Sequence, residues 1–183
     1  MELSAVNTEW FNAINSLAGK NPYLDGVMIF LAQFLIFIVP IYLLFLWFRG
    51  DKKFTIFLLL GVLLSLALSM MIGKIYYHPR PFVLNLTTPL ISHSSDSSFP
   101  SDHAVVMLSF TFPFFFFKKY KSGTIFLLLS ILVGLGRIYC GLHFPLDIIG
   151  SFFLSLIVTY ILFVFRREIF TTVSKFIRES KKQ

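Results

Sequence analysis

The chain has 183 residues, enough for one domain over 1–183, and no Ser/Gly-rich or Pro-rich linker divides it. It is 56% hydrophobic and 14% charged, with 24 Phe, whereas soluble domains run at about 45–50% and about 25%. That is more apolar surface than a soluble core of this size hides, so lipid is the expected solvent. The net charge of +7 would suit nucleic acid in a soluble protein. Here the basic residues cluster between apolar runs, which reads as membrane topology, and no nucleic-acid partner is expected.

The N-terminus lacks the basic start of a cleaved signal and carries Glu2 and Glu9; residues 3–18 are instead expected to be helical. Leu3, Val6, Trp10, Phe11, Ile14 and Leu17 recur at helical spacing, which predicts an amphipathic helix lying in the membrane interface. Gly19 and Asn21-Pro22 are expected to end it.

A membrane-crossing helix needs about 20 residues. Gly26 to about Phe48 is a first uncharged span, and Arg49-Gly50-Asp51-Lys52-Lys53 is the turn after it. Phe54 to Gly73 is a second span, stopping at Lys74. A polar segment rich in Pro, Ser, His and Thr covers about 75–100. The third span runs from about Ser101 to Phe117, followed by a turn at 118–123. The fourth runs from Thr124 to about Gly141, the fifth from about Asp147 to Phe165, and the basic tail 166–183 closes the chain. The expected fold is all-α, a polytopic membrane bundle of about five transmembrane helices plus the N-terminal interfacial helix. The single cysteine, Cys140, excludes a disulfide framework or a Cys metal cluster within one chain and is expected to be a buried or lipid-facing thiol.

With the N-terminus outside, the turns after spans one and three and the tail are cytoplasmic. They hold Arg49, Lys52, Lys53, Lys118, Lys119, Lys121, Arg166, Arg167, Lys175, Arg178, Lys181 and Lys182. Lys20, Lys74, Arg80 and Arg137 remain on the outer side. Lys74, Arg80 and Arg137 lie beside or within spans, where ionisable groups mark function. The same topology brings Ser101, Asp102, His103, His143 and Asp147 to that face. At about 1.5 Å per residue, span three falls slightly short of the roughly 30 Å hydrocarbon core. The site is therefore expected at or just below the outer interface, at the level of a lipid headgroup.

Three clusters result: Lys74-x5-Arg80-Pro81, Pro100-Ser101-Asp102-His103, and Gly136-Arg137-x5-His143-x3-Asp147. Phosphoryl transfer depends on positioning and on stabilising spread negative charge, for which the guanidinium fork of Arg80 and Arg137 is suited. Ser101 can N-cap span three with its hydroxyl and the first free N–H groups facing an anion. His143 and Asp147, four apart, would share a helix face, the carboxylate holding one ring nitrogen and leaving the other to attack phosphorus. His103 has no such carboxylate and is the better general acid. His78, His93 and Asp96 fit no metal-site spacing and are read as loop residues, lining of the headgroup entrance being the alternative.

These clusters resemble the signature of the type-2 phosphatidic acid phosphatase superfamily over roughly residues 70–150. The resemblance implies a phosphatase that needs neither metal nor other cofactor, with His143 as nucleophile, His103 as acid, and Lys74, Arg80, Ser101 and Arg137 binding phosphate. Two departures stand out: five residues rather than six separate Lys74 from Arg80, and Gly136 replaces a serine. Asp102 stands where many relatives have glycine; it is either a helix-start residue or a group that tunes His103 or selects diphosphate. With the small size, the run Pro79-Arg80-Pro81-Phe82-Val83 and the lead-in Ser97-Ser98-Phe99-Pro100, the chain looks like the bacterial undecaprenyl-diphosphate phosphatase branch associated with bacitracin resistance. That implies an isoprenyl diphosphate lipid substrate, membrane lipid as partner, and a plasma-membrane location with the site outside and the C-terminus inside. The alternatives are a phosphatase for phosphatidic acid or phosphatidylglycerol phosphate, a small transporter, and an inactive lipid-binding relative. The gathering of charges at one face without an internal repeat disfavours the transporter, and the intact His/His/Asp set disfavours the inactive relative.

Overall fold

The computed structural model describes the backbone of residues 2–180 and the side chains of residues 4–175. The side chains of Leu3 and Arg178, and Lys181 and Lys182 altogether, lie outside the described residues. Among the described residues eight α-helices run in order: α1 (Glu2–Asn15), α2 (Pro22–Gln33), α3 (Ile38–Phe48), α4 (Lys52–Ile75), α5 (Asp102–Phe116), α6 (Tyr120–Tyr139), α7 (Pro145–Val164) and α8 (Arg166–Ser180). Together α2 and α3 form the first span, while α4, α6 and α7 are each long and apolar enough to cross a membrane and α5 is shorter. The five-span, all-helical architecture is as expected, with three differences in detail.

First, span one is broken. A 3-10 turn, Leu35–Phe37, separates α2 from α3. Pro40 has no N–H to offer the carbonyl of Ile36 four residues back, and its ring crowds that carbonyl, so a continuous helix cannot pass through this turn. Second, the basic tail is helical: α8 packs on the start of α4, with the Phe170 ring 5.9 Å from Phe57 and 5.7 Å from Phe117. Third, α1 ends at Asn15, and Asn21 caps α2 by accepting from the Tyr23 and Leu24 amides rather than closing α1.

The axis of the bundle is α5, which packs against α4, α6 and α7. It spans 15 residues, about 22 Å at the standard helical rise, and most of its surface is covered by neighbours. Around its lower half Phe54, Phe110, Phe114 and Phe126 form a cluster closed by Tyr42, with several edge-to-face pairs at 4.8–6.0 Å. Lipid offers helices no hydrophobic gain over each other, so small and hydroxyl residues bind the bundle. Thr111 and Ser130 bond at 3.1 Å between α5 and α6, and Ser155 donates to the Val105 carbonyl at 3.2 Å between α7 and α5. At the basic end, Lys119 pairs with Asp51 at 2.8 Å, bringing the two basic turns together at the end opposite the α6–α7 connection.

Close approach of α2 to α6 depends on Gly136, where a Cβ would lie 3.0 Å from the Ala32 amide nitrogen and 3.1 Å from the Met28 carbonyl. Gly136→Ala is expected to lower the melting temperature in detergent by several degrees, because the obstacles are backbone atoms. Gly26→Ala, whose Cβ meets nothing within 4 Å, should leave it unchanged or raise it. A Gly136→Ala protein that melts with wild type would refute this packing.

Candidate active site

The polar segment between α4 and α5 is folded by its own hydrogen bonds. Ser98 N donates to the His78 carbonyl at 2.7 Å, and His78 N donates to Ser97 Oγ at 3.1 Å. This lacing puts Arg80 and Ser98 beside the connection between α6 and α7. That connection turns at Gly141, whose φ of +78° and close approach to Thr87 exclude a side chain.

At the centre lies His143, buried in this connection. Its Nδ1 lies 2.8 Å from the Ser98 carbonyl oxygen, so Nδ1 carries the proton and donates it. The Nε2 lone pair then accepts from Arg80 Nη1 at 3.0 Å and from Arg137 Nη2 at 3.3 Å. The expected sharing of a helix face by His143 and Asp147 is corrected here: α7 begins at Pro145, so His143 is outside it. Pro145 presets the backbone angle of the first helical turn, and the Asp147 carboxylate reaches back to cap that turn, accepting from the Phe144 amide at 2.8 Å. It also accepts from the Ser98 hydroxyl and stands 3.5 Å from His143 Nδ1. The carboxylate therefore supports the ring, while the closest acceptor of its proton is a backbone carbonyl.

Both guanidiniums are buried, Arg80 at 4% and Arg137 at 3% exposure, and each needs partners. Arg80 donates through Nε to Asp96 at 2.9 Å, through Nη1 to the Leu142 carbonyl at 3.0 Å, and through Nη2 to the Ser97 carbonyl at 3.2 Å. Its charge and hydrogen bonds hold Asp96 below the usual carboxylate range, against the partial burial that works to raise it. Arg137 reaches the Ala32 carbonyl at 3.5 Å. That carbonyl lies in the last turn of α2, where carbonyls have no intrahelical partner, so the break in span one supplies an acceptor inside the membrane. Among the described residues Arg137 Nε has no hydrogen-bond partner.

Ser101 is the N-cap residue of α5, as expected, but its hydroxyl does not cap; it is buried with no partner among the described residues. The Ser151 hydroxyl serves the backbone here instead, accepting from Ser101 N at 2.9 Å and lying 3.2 Å from its carbonyl. His103, on the first turn of α5, is half-buried and close enough to Arg137, His143 and Arg80 to feel their charges. Asp102 turns to α4, accepting from the Ser69 hydroxyl at 2.6 Å. Lys74 is exposed in the last turn of α4 and, with Asp96 and Asp102, lines a neighbouring cavity of about 190 Å³. Arg80, Arg137, His143 and Asp147 thus converge, with His103 near their charges. Ser101 is joined to them through its backbone by Ser151, which also bonds the Asp147 carbonyl, and Lys74 and Asp102 stand at the side.

Sequence reasoning missed Ser98, which supports both His143 and Asp147. It also left Asp96 as a loop residue, and no spacing in the sequence marks it as the partner of Arg80 that it is in the structure. His78 lies 3.6 Å from Asp147. Burial pushes the His143 imidazole down to about 4; Arg137 and Arg80 act in the same direction, and Asp147 opposes them. A neutral imidazole facing two guanidiniums is an arrangement in which a nucleophile and an anion clamp meet at one point.

Known proteins share this architecture. The chain is 32% identical to the undecaprenyl-diphosphatase BcrC of Bacillus subtilis over 163 residues, 87% of this chain and 84% of that one. Its structure matches that of LpxE from Aquifex aeolicus with a TM-score of 0.75 at 26% identity, covering 86% of this chain and 94% of that one. It also shares the fold of a transmembrane PAP2 type phosphatidylglycerolphosphate phosphatase from Bacillus subtilis, with a TM-score of 0.72 at 23% identity over 92% and 88% of the two chains. The PAP2 superfamily model matches residues 53–170, which contain every one of the converging side chains. This chain is a multi-pass membrane protein and belongs to the PAP2 superfamily.

Proposed function

We propose that this protein hydrolyses undecaprenyl diphosphate to undecaprenyl phosphate and inorganic phosphate. The observation that carries the reading is His143 Nε2 held between the Arg80 and Arg137 guanidiniums at 3.0 and 3.3 Å. The substrate class is supported by the name of the BcrC relative. Arg80, Arg137 and the Ser101 hydroxyl hold the terminal phosphoryl group, replacing the guanidinium bonds to Nε2 with bonds to phosphate oxygens. The Nε2 lone pair then forms a bond to phosphorus as the bond from phosphorus to the bridging oxygen breaks, and His103 gives a proton to that oxygen as undecaprenyl phosphate leaves. The positive charge formed on the His143 ring is stabilised by Asp147 and by the Ser98 carbonyl on Nδ1. In the second half, water loses a proton to His103 and attacks phosphorus, the N–P bond breaks, and phosphate departs. Lys74 and Asp102 act at the edge of this site on the incoming headgroup.

The active site faces the extracytoplasmic side and the C-terminus the cytoplasm. The clustering of Arg49, Lys52, Lys53, Lys118, Lys119 and Lys121 at the opposite end supports this orientation.

A substrate panel in detergent should give fastest phosphate release from isoprenyl diphosphates and slower release from phosphatidic acid and phosphatidylglycerol phosphate. His143→Ala should abolish all of it. In sealed vesicles of known sidedness, an impermeant short-chain isoprenyl diphosphate should be hydrolysed only where the extracytoplasmic face is outward. A preference for phosphatidic acid would overturn the substrate, and full activity of His143→Ala would overturn the mechanism.

The nucleophile must be neutral. With the His143 value at about 4, below the usual value near 6.5, the reactive form persists as pH falls until about pH 4. A histidine-resolved NMR titration should find this ring unprotonated at pH 5; a midpoint near 6.5 would contradict the burial argument.

A further inference from the structure

The family match begins at residue 53, so α1 lies outside it, yet α1 grips the segment that bears the nucleophile. Asn7, Phe11, Ile14 and Asn15 lie on one stripe of α1, about 100° wide at 3.6 residues per turn. Each end of the stripe makes one hydrogen bond to a different helix. Asn15 Nδ2 donates to the Tyr139 carbonyl at 2.8 Å, in the last turn of α6, two residues after Arg137. Asn7 Oδ1 accepts from the Leu146 amide at 3.0 Å, in the first turn of α7, next to Asp147. Both groups are of the kind that a helix terminus leaves without an intrahelical partner. Between the two asparagines Phe11 is wholly buried against Ile138 and Phe144, its ring 5.3 Å from that of Phe144. Val6 and Trp10 of α1, and Leu17 just beyond it, are exposed, so the helix has one exposed apolar face and one face toward the catalytic connection. A second tie fixes its far end: the Tyr139 hydroxyl lies 2.7 Å from Asp25 and 3.0 Å from the Leu17 carbonyl.

We propose that α1 is a clamp that fixes the separation of the α6 and α7 ends, and thereby holds His143 Nε2 against Arg80 and Arg137. Asn7 and Asn15 are its positioning residues; neither touches the reacting atoms. The connection they bracket carries His143 with Arg137 on one flank and Asp147 on the other, so a change in the spacing of the helix ends moves all three. Misplacement by about 1 Å at a site of this kind costs about 100-fold in rate. The inference rests on His143 being the nucleophile.

The test uses full-length protein in detergent, with kcat and KM for an isoprenyl diphosphate and, separately, binding of orthovanadate, which requires the anion clamp but no turnover. Asn7→Ala and Asn15→Ala should each lower kcat about 10- to 100-fold with KM within about twofold, and should weaken vanadate binding. Asn12→Ala, an exposed position on the same helix, should match wild type. The conservative variants separate the two bonds. Asn7→Asp keeps an acceptor for the Leu146 amide and should restore most of kcat, whereas Asn15→Asp loses the donor and should stay as slow as Asn15→Ala. A role in folding alone would not make the two aspartate variants differ. The proposal is overturned if the alanine variants retain kcat, if the whole effect falls on KM, or if Asn7→Asp is as slow as Asn7→Ala. Wild-type protein that binds vanadate in an Asn7-dependent way but releases no phosphate would leave the clamp standing and defeat the substrate assignment instead.

Discussion

Two buried guanidiniums pointing at one imidazole nitrogen define this molecule. Two like charges removed from water in close company are costly, and the surrounding structure is arranged to offset that cost. Arg80 is matched by Asp96 and two carbonyls. Arg137 reaches a carbonyl on a neighbouring helix and keeps an Nε without a partner among the described residues, as does the buried Ser101 hydroxyl at the start of α5. The compensation is therefore incomplete, and an oxyanion with several acceptor oxygens completes it. In the proposed function, the same incompleteness that costs stability serves phosphate binding.

Several features of the fold follow from that requirement. The central helix α5, at 15 residues, is shorter than the roughly 20 needed to cross a bilayer, which favours Ser101 and His103 lying below the membrane surface at their end of the bundle. Span one breaks where Arg137 needs a backbone acceptor, and Pro40 is the residue that breaks it. The segment between α4 and α5 contributes Arg80, Asp96 and Ser98, and its backbone is tied by hydrogen bonds at 76–99 rather than by secondary structure. Around the lower half of α5, interlocked aromatic rings pack the base of the bundle.

Much of this was legible in the residues. Uninterrupted apolar runs located the spans because a membrane admits few alternatives to a helix, and the Lys/Arg bias sorted the two ends. Arg80, Arg137, Ser101, His103, His143 and Asp147 could be named because charge beside a span is rare enough to carry meaning. What stayed hidden has a common cause. The Ser98 carbonyl, the Ala32 carbonyl and the Leu146 amide are backbone groups, and no residue type announces them. Asn7 and Asn15 carry no distinguishing signal among the polar residues of a predicted interfacial helix, since a helical wheel cannot distinguish a face toward headgroups from a face toward protein. Likewise the spacing of His143 and Asp147 suggested one helix, whereas Pro145 and the Asp147 cap start α7 after the histidine.

The central claim is that Nε2 of His143 takes the phosphoryl group from the lipid. The most direct measurement is rapid quenching in base with an isoprenyl diphosphate labelled in its terminal phosphate, followed by peptide mapping of the protein. The account predicts an acid-labile, base-stable label on the peptide containing His143. Label on another residue, or full turnover with no labelled protein at any quench time, would contradict it.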